Sequence, residues 1–183
     1  MFSSSKLFSF IVLLGLLALQ TLAQSNAVTY NASYDDINAG DAGVPITAYK
    51  ELKYTNWEVF NSPKTSESPP NLIALNDGAE IGNMSVSNTS RVFHLTGFYF
   101  GCSALHGESL VVPLVPCTVL VTGYSNKQQV AQSAYVYDAT VPKQNVTGLG
   151  NVFMGLDEVS FQVAFAKLSM GLDNIQYVMY DKL

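Results

Sequence analysis

The stretch FYFGCSALHGESLVVPLVPCTVLVTGY, residues 98–124, contains both cysteines of the chain, Cys102 and Cys117. Each cysteine lies at the end of a segment rich in Val, Thr, Tyr and Phe, the residues that fit the pleated surface of a β-strand. In an oxidising compartment two cysteines most simply pair. The stretch therefore predicts a disulfide that closes a loop of about 15 residues and contributes roughly 3 kcal/mol in the chain-entropy model. Two free thiols are the alternative.

The N-terminal segment MFSSSKLFSFIVLLGLLALQTLAQS predicts the compartment. It has one Lys6, an apolar run over residues 7–19 and small residues before a plausible cleavage site after Ala23. This pattern is typical of a secretory signal peptide, residues 1–23, and the run is short for the alternative, a membrane anchor. We expect residues 24–183 to form a single secreted, extracellular domain. The C-terminal QYVMYDKL has no hydrophobic tail, so we expect no lipid anchor there and no membrane anchor overall.

Composition limits the partners. Charged residues make up 13% of the chain and the net charge is −5, with no basic stripe, so we expect no nucleic-acid partner. Secretion agrees with four N-x-Ser/Thr sequons, which could carry glycan where they are exposed and which also arise by chance. They begin at Asn31, Asn83, Asn88 and Asn145.

The rest of the chain has the pattern of an all-β protein. EVSFQVAFA alternates, with Val159, Phe161, Val163 and Phe165 on one face, which is the period of a strand with one buried face. No window after residue 23 keeps a helical period over three turns. Polar turn signals such as NAGDAGVP, NSPKTSESPP and GLGN recur between the strand candidates. Many short strands with polar turns predict a β-sandwich or barrel.

Several segments carry a resemblance. YDDI near the start, AYKELKYTNWEVF after it, the pair FYFGC and CTVLVTGY, and a final LDNIQY are similar to small secreted fungal proteins of largely unknown function. The two ends also resemble jelly-roll carbohydrate-binding modules and galactose-binding-like domains. The resemblance implies an antiparallel two-sheet β-sandwich.

Acidic residues near both ends suggest a metal. In the last strand candidate Asp173 shares its phase with Ile175, and in the first Asp36 shares its phase with Tyr34. An unpaired buried carboxylate is costly. One structural calcium ion, bound by Asp173 and by Asp35 or Asp36, would compensate it. The alternative is that these acids cap turns.

Aromatic residues are the candidates for sugar stacking. Trp57 is the only tryptophan, and Tyr49 and Tyr54 precede it. Trp57 and Val59 share one face of NWEVF, which favours the alternative, a place in the core. His94 and His106 have no metal-ligand spacing, so we expect neither a zinc nor a catalytic role.

These patterns favour a secreted, non-catalytic module that binds glycan or polysaccharide, on a cell wall. The alternative is a fungal effector or wall-associated protein that binds another protein. A small polysaccharide hydrolase or lyase is a third candidate. The sequence has no GxSxG motif for a nucleophilic serine, and its scattered acids need a spatial test before a pair can be assigned to glycoside hydrolysis.

Overall fold

The computed structural model describes residues 26–40, 42–62, 66–76, 78–104, 114–149, 151–164 and 168–182. The expected signal peptide, residues 1–23, and His106 lie outside this set. In the described part no helix is long and apolar enough to cross a membrane. The described residues form thirteen strands: β1 Val28–Ala32, β2 Val44–Pro45, β3 Ala48–Tyr49, β4 Leu52–Thr55, β5 Trp57–Asn61, β6 Asn71–Leu75, β7 Ile81–Val86, β8 Arg91–Ser103, β9 Cys117–Ser125, β10 Gln128–Tyr137, β11 Gln144–Thr147, β12 Glu158–Val163 and β13 Ser169–Asp181.

The strands build two antiparallel sheets. Sheet A has the order β11-β8-β13-β6-β5-β2, and β1 pairs with β13 beside β6. Sheet B has the order β10-β9-β12-β7-β4-β3. This arrangement confirms the predicted all-β, antiparallel two-sheet β-sandwich. It also places the first and last strands side by side, with Tyr30 of β1 opposite Tyr177 of β13.

Aromatic side chains fill the space between the sheets. The ring of Phe98 lies 5.8, 5.6 and 5.3 Å from the rings of Phe100, Tyr135 and Phe161, so one residue of sheet A contacts two of sheet B. Val159, Phe161 and Val163 are buried, as the alternation of β12 predicts. Phe165 lies outside the described residues. Large aromatic side chains bury much apolar area each, so this cluster dominates the packing of the two sheets.

The disulfide joins the two sheets. Cys102 near the end of β8 in sheet A is bonded to Cys117 at the start of β9 in sheet B, with 6.2 Å between their Cα atoms. Both cysteines are buried. This confirms the predicted pairing, and it covalently ties one of the two longest strands of sheet A to sheet B.

Strand β13 departs from simple alternation. Leu172 and Ile175, three residues apart, both lie in the core, because the register shifts after Asp173 and Asn174 has a left-handed φ of 46°. A bulge of this kind adds one residue and reverses the faces that follow. The prediction that Asp173 shares the phase of Ile175 is therefore wrong. For Asp36 the shared phase with Tyr34 is also wrong, since β1 ends at Ala32 and a turn follows.

The disulfide can be tested by removing it. Replacing Cys102 and Cys117 together with Ala should lower the free energy of unfolding by about 2–4 kcal/mol while the sandwich still forms, because the unfolded chain gains freedom and the core between the sheets remains. Urea unfolding and far-UV circular dichroism measure both effects. Unchanged stability, or two titratable thiols in the native protein, would contradict the bridge.

Candidate functional site

The predicted stacking residues lie in the core. Trp57 is 1% exposed, its ring packs edge-on against Phe161 at 6.1 Å, and its Nε1 donates a hydrogen bond to the Asn83 carbonyl at 3.2 Å. Tyr54 is 4% exposed, and its hydroxyl shares a hydrogen bond of 3.1 Å with that of Tyr34. Neither ring can reach a sugar, so both are corrected to core residues.

Tyr49 is half-buried. Its hydroxyl donates to Asp36 at 2.6 Å, its ring lies 5.0 Å from that of Tyr34, and the Lys50 ammonium sits 5.1 Å from its ring centroid. Burial is the main cause that raises its pKa, and the Asp36 carboxylate adds to it. These contacts engage the hydroxyl and the ring of Tyr49 within the protein. A sugar-stacking role for Tyr49 stays a prediction.

The acids of the predicted calcium site accept hydrogen bonds from the protein. Asp35 accepts one from the Asn71 amide at 3.2 Å. Asp173 accepts four: from the amides of Glu67, Ser68 and Asn174 at 2.7, 2.9 and 2.7 Å, and from the Ser68 hydroxyl at 3.1 Å. An ionised carboxylate has about four acceptor positions, so these donors use them all. This is the bonding that the turn-cap alternative predicts.

Within the described ranges, no group of three or more His, Cys, Asp or Glu residues is placed to hold a metal ion. Asp173 has no acceptor position to spare, so the residues present do not suit calcium as they are arranged. The calcium site stays a prediction without structural support.

Polar side chains lie in register on the face of sheet A that points away from sheet B. Asn145 of β11 pairs with Tyr99 of β8, and Tyr99 pairs with Asp173 of β13. In the neighbouring row Gly97 of β8 pairs with Gln176 of β13. We call Tyr99, Lys143, Asn145, Asp173 and Gln176 the polar strip. The Asn145 side-chain amide donates to the Tyr99 hydroxyl at 3.1 Å.

Two paired glycines make room for Lys143. Gly101 and Gly171 face each other across β8 and β13. A Cβ atom on Gly171 would lie 2.9 Å from Lys143 Nζ, and one on Gly101 would lie 3.5 Å from it and 2.8 Å from the Pro142 carbonyl. The Lys143 side chain therefore lies flat on the sheet, in space that a larger residue at either position would take.

Burial sets the ionisation of both charged groups of the strip. It lowers the pKa of Lys143 from 10.5 to about 8, against the opposing effect of the Asp173 charge. Burial also raises the pKa of Asp173 from 3.8 to about 6, although its four hydrogen bonds act in the opposite direction. Asp173 is fully buried and Lys143 is partly exposed. Buried groups with shifted pKa values are common at functional sites, and they also occur in structural pairs.

The four predicted glycosylation sites lie in different parts of the sandwich. Asn31 and Asn145 are exposed on the outer face of sheet A, where the Asn31 side-chain amide donates to Asn174 at 3.0 Å. Asn88 is exposed in the turn between β7 and β8, and Asn83 is partly exposed in sheet B. Glycosylation itself stays a prediction.

Sequence reasoning did not identify Lys143 or Gln176 as site residues. Alternation within β11 and β13 could have suggested that Asn145 and Gln176 point outward. It could not have brought them beside Tyr99, because that depends on which strands are neighbours in sheet A.

No protein-family model and no curated protein matches this chain. Solved structures of similar architecture include a DUF4465 family protein from Bacteroides caccae, with a TM-score of 0.48, 11% identity and coverage of 89% of this chain and 96% of that one. A second is a xylan-binding domain from Paenibacillus barcinonensis, with a TM-score of 0.46, 10% identity and coverage of 84% of this chain and 95% of that one. A third is a family 29 carbohydrate-binding module from Piromyces equi, with a TM-score of 0.40, 10% identity and coverage of 84% of this chain and 91% of that one. Because each TM-score is below 0.5, these similarities are too weak to support a function.

Removing the Lys143 ammonium should change how the free energy of unfolding depends on pH. Between pH 8 and the ordinary pKa of 10.5, the unfolded chain binds more protons at Lys143 than the folded one, so this group makes stability rise with pH. Lys143→Met should therefore be more stable than the wild type at pH 7, by on the order of 1–3 kcal/mol, with the difference shrinking toward pH 10.5.

Urea unfolding at pH 7, 9 and 10.5 measures this difference, with the exposed Lys53→Met in sheet B as the matched control. A constant difference across this range would show that Lys143 is not desolvated in the folded state.

Proposed function

We propose that this protein is a secreted, non-catalytic module that binds glycan through the polar strip. The observation that carries the proposal is the accessible set Asn145, Tyr99 and Gln176 on three neighbouring strands of one face, to which the buried Asp173 contributes by holding the segment around Ser68. Sugar hydroxyls both donate and accept hydrogen bonds. Amides do the same, and a phenol can act as either partner. Side chains mounted on paired strands are also held more rigidly than side chains on loops.

A binding role fits the strip better than hydrolysis. Most glycoside hydrolases use two carboxylates that flank the scissile bond. The strip contains one carboxylate, Asp173, which is fully buried and already accepts four hydrogen bonds. This supports a site that recognises a sugar without cleaving it.

Secretion is part of the proposal. The apolar N-terminal segment, four sequons and a bridge between the only two cysteines support an oxidising, extracellular location. A glycan-binding module outside the cell would find its ligand on a cell wall or in the surrounding polysaccharide.

Binding of another protein, as expected for an effector or wall-associated factor, is a second candidate. Val152 and Met154 are 57% and 43% exposed. The amide of the next residue, Gly155, donates to the Tyr180 hydroxyl at 3.3 Å, and Tyr180 packs edge-on against His94 at 4.4 Å. Exposed apolar side chains beside aromatic ones are typical of protein-interaction surfaces.

The strip can be tested with Gln176→Ala. A pull-down on a panel of insoluble polysaccharides first identifies a ligand, and titration calorimetry then measures affinity. We expect the variant to bind about fivefold more weakly or worse, the value of one lost hydrogen bond. Gln132→Ala, on the outer face of sheet B, is the matched control. Equal losses in both variants would place the ligand elsewhere, and a protein that binds no polysaccharide would remove the proposal.

A glycan on Asn145 should block the strip, because it would be attached to the same side-chain nitrogen that donates to Tyr99. For protein secreted from an N-glycosylating host, Thr147→Ala removes this sequon and keeps Asn145. We expect it to bind polysaccharide more tightly than the wild type. Ser90→Ala removes the Asn88 sequon in a distant turn and should change nothing. If the wild type carries glycan at Asn145 and still binds as tightly as Thr147→Ala, the ligand does not occupy the polar strip.

A further inference from the structure

The Lys143 ammonium lies on the outer face of sheet A and has no hydrogen-bond acceptor among the described residues. It rests on Gly101 and Gly171, partly exposed on the outer face of sheet A. It donates no hydrogen bond to any residue that the structure describes. A desolvated ammonium without acceptors is costly. An unpartnered cation at the surface of a binding strip is suited to a ligand that supplies acceptors.

Asp173 does not supply them. Its charge acts on the ammonium, but its two oxygens accept hydrogen bonds from Glu67, Ser68 and Asn174. Asp173 thereby fastens the segment around Ser68 to β13, and its oxygens accept no hydrogen bond from Lys143. The two groups compensate each other's charge only at a distance.

We infer that the polar strip selects a sugar that carries an anionic group, a carboxylate or a sulfate ester, and that Lys143 binds this group. The inference rests on the proposed glycan-binding function and names its ligand class. A carboxylate offers two oxygens and a full charge, and charge-assisted hydrogen bonds are about twice as strong as neutral ones. Asn145 and Gln176, one on each side of the β8 strand, would bind the hydroxyls of the same sugar or its neighbour.

Charges elsewhere in the chain do not favour an anionic ligand. The chain carries a net charge of −5, so it repels polyanions as a whole. The acid whose charge acts on Lys143 is Asp173, and Glu67 lies close to Asp173, since its amide is hydrogen-bonded to the Asp173 carboxylate. General attraction therefore does not favour an anionic ligand, and within the polar strip the cation that would bind one is Lys143.

The test compares one sugar chain with and without its charge. Polygalacturonate oligomers and their fully methyl-esterified forms share a backbone, and dextran sulfate against dextran tests the sulfate ester. Calorimetry uses the whole secreted chain without N-glycans. We expect the charged form of one pair to bind at least about tenfold more tightly than its neutral form. That preference should be lost in Lys143→Met and kept in Lys53→Met.

A dependence on pH gives a second readout. The preference for the anionic form should weaken from pH 7.5 to 9.5, because Lys143 loses its proton near pH 8 while Asp173, with a pKa of about 6, is already ionised throughout this range. In Lys143→Met the affinity should not change over that range.

The outcomes separate this inference from the proposed function. If charged and neutral forms bind alike while Gln176→Ala weakens both, the strip binds glycan but does not select anions. A preference that survives in Lys143→Met also overturns the inference. If no sugar binds at any pH, the proposed function itself fails.

Discussion

The pairing of β8 with β13 is the constraint on which the rest of the structure depends. These two strands, Arg91–Ser103 and Ser169–Asp181, pair almost from end to end in the middle of sheet A. Strand β11 attaches to the free side of β8, while β6 and β1 divide the free side of β13 between them. At the end of β8, Cys102 ties the pair to sheet B. A shift of one residue in this register would turn every side chain of a strand to the opposite face, exchanging core aromatics for the polar strip.

The polar strip contains charged residues that selection for stability alone would not favour. A lysine and an aspartate are desolvated on the outer face of sheet A, and apolar residues of similar size at such positions are often as stable or more so. The protein nevertheless keeps both: glycines at 101 and 171 leave space for Lys143, and four donors surround Asp173. Departures from local rules of this kind concentrate at functional sites, which is the physical reason to look for a ligand here.

The reasoning about phase was wrong where the chain departs from regular alternation and right where it does not. The metal hypothesis placed Asp173 in phase with Ile175, but the left-handed Asn174 inserts a bulge between them and turns Asp173 outward. The aromatic hypothesis weighed Trp57 as a platform against Trp57 as core. The alternation of NWEVF favoured the core, and its contact with Phe161 shows that this was the better interpretation. A bulge leaves little trace in residue type, whereas the burial of an alternating apolar pair is visible in the sequence.

The sequence by itself determined the all-β class, the pairing of Cys102 with Cys117 and the buried face of β12. Each of these follows from local periodicity or from a count of residues, so no knowledge of strand neighbours was needed. Only the tertiary structure decided that Tyr99, Lys143, Asn145, Asp173 and Gln176 lie together. They come from three segments far apart in the chain, and the hydrogen-bonded register of β11, β8 and β13 brings them to one face. That register is set by packing across the whole core, which no single stretch of sequence contains.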